Sequence, residues 1–295
     1  MDSIWNTISR HISDSTGTQF SIQNRHAVGG GCINTAYVIQ GHDVNYFVKL
    51  NSTDRREMFA AESAGLNEIV NSHTVRAPLP ICFGGTSSAS YIVMEYIESG
   101  PGNNDSYITL GQQLAAMHLV NREYFGWDYD NTIGSTPQPN TSSESWIEFW
   151  HKNRLGYQLE LAVMNGYGNQ LQARGDCLLQ QFPLFFSTYH PVPSLLHGDL
   201  WSGNYAVDKY GTPYIFDPAV YYGDRETDIA MTELFGGFPT LFYRAYEEAF
   251  PLDQDYHKRK KLYNLYHILN HLNLFGGGYL SQAREMIDML LSECR

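Results

Sequence analysis

The chain of 295 residues is long enough for one large domain or for two lobes around a sizeable core. Hydrophobic residues make up 43% of it and charged residues 17%, which are the proportions of a globular protein. Its formal net charge of -12 argues against nucleic acid or an anionic membrane as a partner, because both attract basic surfaces.

The N-terminus and the cysteines exclude further classes of protein. Residues 1–5 lack the basic region of a signal peptide, and no run of the chain approaches the ~18 apolar residues of a membrane span. We therefore expect a cytoplasmic protein. The cysteines form no Cys-x-x-Cys pair, so the sequence predicts neither a zinc site nor a disulfide framework.

The first hundred residues predict a sheet with one helix. Extended segments are expected at residues 20–28, 35–39, 45–50 and 91–97. The sequence of residues 54–70 predicts the one helix of this region. The cluster of chain-breaking residues at 99–104 then predicts a boundary between an N-terminal lobe, residues 1–98, and a C-terminal lobe, residues 99–295.

The second half of the chain changes in character, because apolar residues recur there at helical spacing. Such segments lie at residues 105–120, 145–164 and 170–186, and helices resume at about residue 228. A small sheet-rich lobe is thus expected to precede a larger, mainly helical one. The predicted fold class is α+β.

A glycine-rich loop, Gly29-Gly30-Gly31-Cys32-Ile33-Asn34, joins the first two predicted strands. A Walker loop or a dinucleotide-binding loop would lead into a helix, so neither is indicated. A glycine loop between strands is instead typical of the lid that kinase-like enzymes place over nucleotide phosphates. Considered alone, this motif fits an ordinary hairpin equally well.

Lys49 lies on the third predicted strand and could reach the nucleotide phosphates if a carboxylate held it in place. The following helix supplies a candidate, because Glu62 shares a face with apolar residues at three- and four-residue spacing. A buried carboxylate needs a cationic partner. We therefore predict a pair between Lys49 and Glu62.

The last strand of the N-terminal half has the form of a kinase hinge. Backbone groups of Glu95 and Ile97 are the predicted partners of the adenine edge, with Met94 and Tyr96 beside the pocket. A plain strand followed by a turn is the alternative. Only the order of the elements favours the hinge.

The most informative segment is His197-Gly198-Asp199-Leu200-Trp201-Ser202-Gly203-Asn204, followed by Asp217. An Asp with an Asn five residues later matches a kinase catalytic loop. Two short predicted strands with a turn between them connect Asn204 to Asp217. Because a hairpin brings its ends together, these two residues should lie side by side and offer oxygen ligands to Mg²⁺. Asp228 could cap a helix or brace this loop.

With these elements in order, the chain resembles the fold shared by protein kinases, aminoglycoside phosphotransferases and choline kinases. Two departures from protein kinases favour a small-molecule kinase. Gly198 stands where protein kinases have an arginine that senses phosphorylation, and the interval from Asp217 to Asp228 leaves no room for a long peptide-docking segment.

Within that fold, the chain resembles the fructosamine kinase (ketosamine-3-kinase) family over most of its length. The segments that carry the resemblance are Gly29–Asn34, Phe125–Gly134, Pro137–Asn140, Leu196–Asn204, Asp217–Gly223 and Leu269–Gly276. Trp201 and Ser202 are its most specific part, because aminoglycoside and choline kinases usually lack them.

The resemblance implies ATP-dependent phosphorylation of the 3-hydroxyl of a fructosyl or ribulosyl amine, followed by spontaneous loss of the sugar from the amine. It implies that Asp199 accepts or orients the hydroxyl proton and that Asn204 and Asp217 hold Mg²⁺. Lys49, braced by Glu62, would neutralise phosphate charge. Positioning and charge neutralisation dominate such chemistry.

Candidates for the substrate pocket rest on residue type alone. Trp201 could lie against the apolar face of the sugar, and Asp224 or Glu226 could attract the protonated amine. A core aromatic residue and acids at the start of a helix are equally good interpretations. The alternative functions are a kinase of another hydroxylated amine, such as an aminoglycoside or a choline-like compound, and a nucleotide-binding protein without catalysis.

Overall fold

The structure is a computed structural model that describes residues 4–29 and 33–294. Its strands are β1 (Asn24–Val28), β2 (Thr35–Gln40), β3 (Asn45–Asn51), β4 (Pro80–Gly85), β5 (Ser90–Glu95), β6 (Asn131–Ile133), β7 (Thr136–Gln138), β8 (Ser194–Leu196), β9 (Tyr205–Val207), β10 (Pro213–Ile215) and β11 (Tyr221–Gly223). The first five form one antiparallel sheet in the order β1-β2-β3-β5-β4, and the others form pairs. The predicted N-terminal sheet is confirmed.

Helices form most of the remaining secondary structure of the described residues. They are α1 (Ile4–Thr16), α2 (Arg56–Asn71), α3 (Asn104–His118), α4 (Trp146–Trp150), α5 (Gly156–Ala162), α6 (Gly168–Gln181), α7 (Glu226–Leu234), α8 (Thr240–Ala249), α9 (Tyr256–Phe275) and α10 (Leu280–Glu293). None of the helices in residues 4–29 and 33–294 is both long and apolar enough to span a membrane.

The N-terminal sheet has a helix on each face, and the alternation of side chains in β5 shows why. Tyr91 and Val93 point to one face, where they pack in a cluster with Ile8 and Ile12 of α1. The expectation of a single helix in the first hundred residues was wrong. The spacing of Ile4, Ile8 and Ile12 at every fourth residue is the helical signal that reveals α1.

The other face of the sheet is covered by α2. Ile92 and Met94 of β5 pack in the same core cluster as Phe59 and Leu66 of this helix. In the neighbouring strand β3, Val48 belongs to the α1 side, so alternation directs Lys49 toward α2. The fold therefore places the lysine on the face that carries Glu62.

The C-terminal part is built on close helix contacts. Gly111 lets α3 approach α8, because a Cβ atom added at this position would lie 2.4 Å from the carbonyl oxygen of Phe242. Helix α9 packs against both α7 and α10 in a core rich in aromatic residues. A larger helical part is thus confirmed. The boundary of the two lobes after residue 98 falls between β5 and α3 and stays a prediction.

Candidate active site

Asp228 braces the backbone of the predicted catalytic loop. Its buried carboxylate accepts hydrogen bonds from the backbone N–H groups of His197 at 2.7 Å and Gly198 at 2.9 Å. It also accepts one from His118 Nε2 at 3.3 Å. Burial alone would raise its pKa, but these partners lower it, so the side chain stays ionised. Asp228 lies inside the first turn of α7, so the N-cap interpretation is wrong and the brace is confirmed.

The ring of His197 joins this loop to the residue before Asp217. Its Nε2 lies 2.9 Å from the carbonyl oxygen of Phe216, and its Nδ1 lies 3.2 Å from the backbone N–H of Asp199. A carbonyl only accepts, so Nε2 carries the proton and Nδ1 accepts from the backbone. Burial lowers the pKa of His197, in agreement with this neutral tautomer.

Gly198 is required at its position by the backbone. Its φ of 83° lies in the left-handed region, and a Cβ atom would lie 2.1 Å from the carbonyl oxygen of Ala219. Ala219 in turn donates its backbone N–H to the carbonyl of His197 at 2.8 Å. The catalytic loop and the segment after Asp217 are therefore in direct contact.

The predicted hairpin exists and aligns Asn204 with Asp217. Strands β9 and β10 pair with Tyr205 opposite Ile215, and the N–H of Phe216 donates to the carbonyl of Asn204 at 3.1 Å. The side-chain amide of Asn204 donates to the backbone oxygen of Asp199 at 2.8 Å and to its carboxylate at 3.3 Å. The structure thus brings the three predicted residues together.

Lys49 connects this centre to the N-terminal sheet. Its buried ammonium group donates to Glu62 and to the carboxylate of Asp217, the latter at 2.6 Å. Asp217 has a φ of 57°, which is uncommon for a residue with a side chain and often marks a functional site. The predicted pair of Lys49 with Glu62 is confirmed as a contact, whereas its role toward a nucleotide stays a prediction.

The electrostatics of the centre follow from burial and crowding of carboxylates. Burial would lower the pKa of Lys49, but Asp217 and Glu62 raise it, so the ammonium form persists. Burial, and then the nearby charge of Asp217, raise the pKa of Asp199 well above its ordinary value. A carboxylate with a raised pKa is suited to accept a proton from a hydroxyl.

The donor set fits Mg²⁺ bound together with a nucleotide. Asp217 offers carboxylate oxygen and Asn204 amide oxygen, which are ligands typical of this hard cation. Within the described residues no group of three or more His, Cys, Asp or Glu side chains forms a metal site. Kinases bind Mg²⁺ through few protein ligands plus phosphate oxygens, and the residues present agree with that pattern.

The glycine loop lies between the paired strands β1 and β2, as expected. Gly30, Gly31 and Cys32 lie outside the described residues. Asn51, at the end of β3, holds the far side of the loop, because its amide donates to the side chain of Asn34 at 2.7 Å and to the carbonyl of Ile33 at 3.1 Å. Asn51 is not identified from the sequence, although it follows Leu50, which pairs with Thr35 at the start of β2.

The predicted hinge spans the end of β5 and the two residues after it, with Met94 and Ile97 buried and Tyr96 half-buried. The backbone N–H of Glu95 already donates to the carbonyl of Leu79 at 2.8 Å. Its side chain pairs with Arg76 at 3.0 Å. The N–H of Glu95 is therefore already used within the protein, and the hinge role of the segment stays a prediction.

The three candidate substrate residues differ in their exposure to solvent. Trp201, within the predicted catalytic loop, is 37% exposed, and its ring lies edge-on to Phe235 with 6.3 Å between the ring centroids. Phe235 in turn lies 4.8 Å from His271 of α9. Trp201 lies two residues after Asp199 and is partly exposed, so its contact with the face of a sugar stays a prediction.

Asp224 and Glu226 are fully buried and have internal partners. Tyr189 donates to Asp224 at 2.9 Å, and Arg259 holds Glu226 at 2.7 and 3.0 Å. Burial raises the pKa of Asp224, and burial with the charge of Asp224 raises that of Glu226 to about 7. The predicted contact of these acids with a substrate amine is not supported, because neither carboxylate reaches the surface.

Comparison with known proteins decides the family. The fructosamine kinase family model matches residues 4–293. The chain belongs to the fructosamine kinase family. A Synechocystis relative assigned as a ketoamine kinase is 49% identical over 97% of both chains. A chloroplastic protein-ribulosamine 3-kinase of Arabidopsis thaliana is 46% identical over 89% of this chain and 81% of its own length.

Solved structures show the same family and fold. A Haemophilus somnus protein assigned as a fructosamine-3-kinase matches 98% of this chain and all of its own chain, with a TM-score of 0.88 and 29% identity. An aminoglycoside phosphotransferase, solved in ternary complex with ADP and hygromycin B, has a TM-score of 0.67 at 14% identity over 97% of this chain and 98% of its own. The second likeness shows the kinase-like fold alone.

Proposed function

We propose that this member of the fructosamine kinase family transfers the γ-phosphoryl group of ATP to the 3-hydroxyl of ketosamines, either fructosyl or ribulosyl amines, including glycated lysine. The 3-phosphate then decomposes and frees the amine, which makes the reaction a deglycation. The observation that carries the proposal is the convergence of Asp199 and Asn204 with the ion cluster of Lys49, Glu62 and Asp217. The named relatives supply the substrate class.

The residues of the chain divide the chemistry among them. Asp199 accepts or orients the proton of the sugar hydroxyl, and Asn204 fixes its carboxylate. Lys49 neutralises phosphate charge, and Glu62 keeps its ammonium group in place. Asn204 and Asp217 would hold Mg²⁺, which when bound neutralises charge on the phosphate oxygens.

The acceptor would lie against the exposed aromatic surface beside Asp199. Trp201 offers an apolar ring face to the sugar, and its neighbour Phe235 extends that surface toward α9. A ring face also attracts a protonated amine through its quadrupole. This aromatic surface would bind the protonated amine, and the buried residues Asp224 and Glu226 would not be needed for it.

The position of the phosphate in the product tests the proposed function. Incubation of fructosyl-lysine with Mg-ATP is expected to give a single phosphate ester at the 3-hydroxyl, followed by slow release of lysine. Phosphorus and carbon NMR spectra identify the esterified carbon, and amino-acid analysis measures the freed lysine. A product phosphorylated at another hydroxyl, stable on standing, would contradict the proposal.

A further inference from the structure

Helix α2 is docked on the segment that follows Asp217, and this docking bears on the ion cluster of the active site. In regulated protein kinases the helix that carries the glutamate partner of the lysine moves, and phosphorylation of the activation loop controls its position. Here α2 carries Glu62, and its C-terminal half contacts residues 218–222 at two points.

The first point of contact is Gly65. A Cβ atom at this position would lie 3.2 Å from Val220 and 3.7 Å from Pro218. The absence of a side chain therefore allows α2 to approach the segment directly behind Asp217. Because Gly65 lies three residues after Glu62, this contact is within one turn of the glutamate.

The second point is Glu68, which joins α2 to the C-terminal part. Its carboxylate accepts a hydrogen bond from the hydroxyl of Tyr222 at 2.7 Å and pairs with Arg122 at 2.9 Å. The Arg122 guanidinium also lies over the ring of Tyr222, 4.5 Å from its centroid. One carboxylate thus binds two groups that are themselves stacked on each other.

The segment that receives α2 is itself held by the C-terminal part. The side chain of Asn131 donates to the carbonyl of Val220 at 2.8 Å, and that of Gln138 to the carbonyl of Ala219 at 3.1 Å. Tyr222 exchanges backbone hydrogen bonds with Gly126 at 2.8 and 2.9 Å. The segment therefore offers α2 a fixed surface rather than a mobile loop.

From these contacts we infer that Glu68 is a positioning residue for phosphoryl transfer. Through α2 it holds Glu62, and so Lys49, against Asp217 without an activation step. Six residues at about 1.5 Å each separate the two glutamates by roughly 9 Å along the helix. The inference rests on the roles proposed for Lys49 and Asp217. It adds that their geometry is set by contacts of Glu68 with Tyr222 and Arg122.

Steady-state kinetics of Glu68→Ala and Tyr222→Phe test this inference. Each variant is expected to raise the KM for Mg-ATP and thereby to lower kcat/KM for ATP by about tenfold, a typical coupling between linked sites. The KM for fructosyl-lysine is expected to stay within about twofold. Tyr222→Phe keeps the stacked ring and removes only the hydroxyl.

Two further variants make the result interpretable. Asp128→Asn removes the other carboxylate partner of Arg122, which pairs at 2.8 Å on the exposed side, and is expected to leave both KM values unchanged. The Lys49→Met variant shows how much activity is lost when the lysine itself is removed. All assays are run well below the unfolding midpoint of each variant, so that a purely structural effect does not alter the kinetics.

The outcomes separate the two proposals. Unchanged ATP kinetics in both Glu68→Ala and Tyr222→Phe, beside an impaired Lys49→Met, would overturn the positioning role and leave the proposed function intact. Equal rises in the KM for ATP and the KM for fructosyl-lysine would also overturn it, because they indicate general disruption. Normal activity of Lys49→Met would remove the premise that both proposals share.

Discussion

Replacing Asp199 with asparagine is expected to lower kcat by at least about a hundredfold while the KM for ATP stays similar. A positioned base contributes typically 10²–10⁴-fold, and it acts mainly in the transition state. Asparagine preserves the shape of the side chain and can still accept the hydrogen bond that Asn204 donates. The substitution therefore removes the proton acceptor with little change in the surrounding contacts.

A matched substitution separates chemistry from general effects. Asp176→Asn makes the same change at an exposed position on α6 and is expected to leave kcat and KM unchanged. Binding of Mg-ADP, measured by calorimetry, is expected to be similar in the wild type and in both variants. Turnover by Asp199→Asn within a few fold of the wild type would remove Asp199 from its proposed role.

Replacing Asp228 with asparagine is expected to lower the free energy of unfolding by about 3 kcal/mol near neutral pH. The carboxylate satisfies two backbone N–H groups of the catalytic loop and the ring of His118. An asparagine presents one acceptor oxygen and one NH₂ group, so a buried donor faces another donor, which costs more than a lost hydrogen bond. Denaturant unfolding of both proteins measures the difference.

The same pair of proteins has an expected pH dependence. The pKa of Asp228 lies below its ordinary value of 3.8, so the unfolded chain binds its proton more readily than the folded one. Its contribution to stability is therefore full above about pH 4 and is lost as the pH falls through the folded-state pKa. The stability difference between wild type and Asp228→Asn is expected to shrink over that acidic range.

An exposed pair provides the control for this effect. Asp288→Asn removes the partner of Arg174 on the surface, where both side chains are more than half exposed. Surface pairs contribute about 0–1 kcal/mol, so this change is expected to have a small effect at every pH. If Asp228→Asn is as stable as Asp288→Asn, the brace does not have the energetic role that its contacts indicate.

The sequence predicts those parts of the site that depend on patterns among residues close together in the chain. Turn residues between two short strands indicated the hairpin, and the hairpin alone aligns Asn204 with Asp217. Helical spacing selected Glu62 among the acids of α2 as the partner of Lys49. In both cases the period of the secondary structure fixes which side chains meet.

The parts that could not be predicted depend on contacts between distant segments. Glu226 is a candidate for the substrate amine in the sequence, with an acid at a helix start as the alternative, but Arg259, 33 residues later, pairs with it in the core. Glu68 gave no signal, since its partners Arg122 and Tyr222 are 54 and 154 residues away. The spacing of apolar residues indicates which face of a helix a residue occupies. It does not indicate which charged side chain from a distant segment will pack against that residue.

The most direct measurement of the central claim is ADP release from Mg-ATP with a panel of acceptors. Fructosyl-lysine and ribulosyl-lysine are compared with an aminoglycoside and choline, and Asp199→Asn is assayed alongside. We expect turnover with at least one ketosamine, none with the other two acceptors, and loss of turnover in the variant. Turnover of the aminoglycoside or choline without turnover of either ketosamine would contradict the account, as would ADP binding with no turnover of any acceptor.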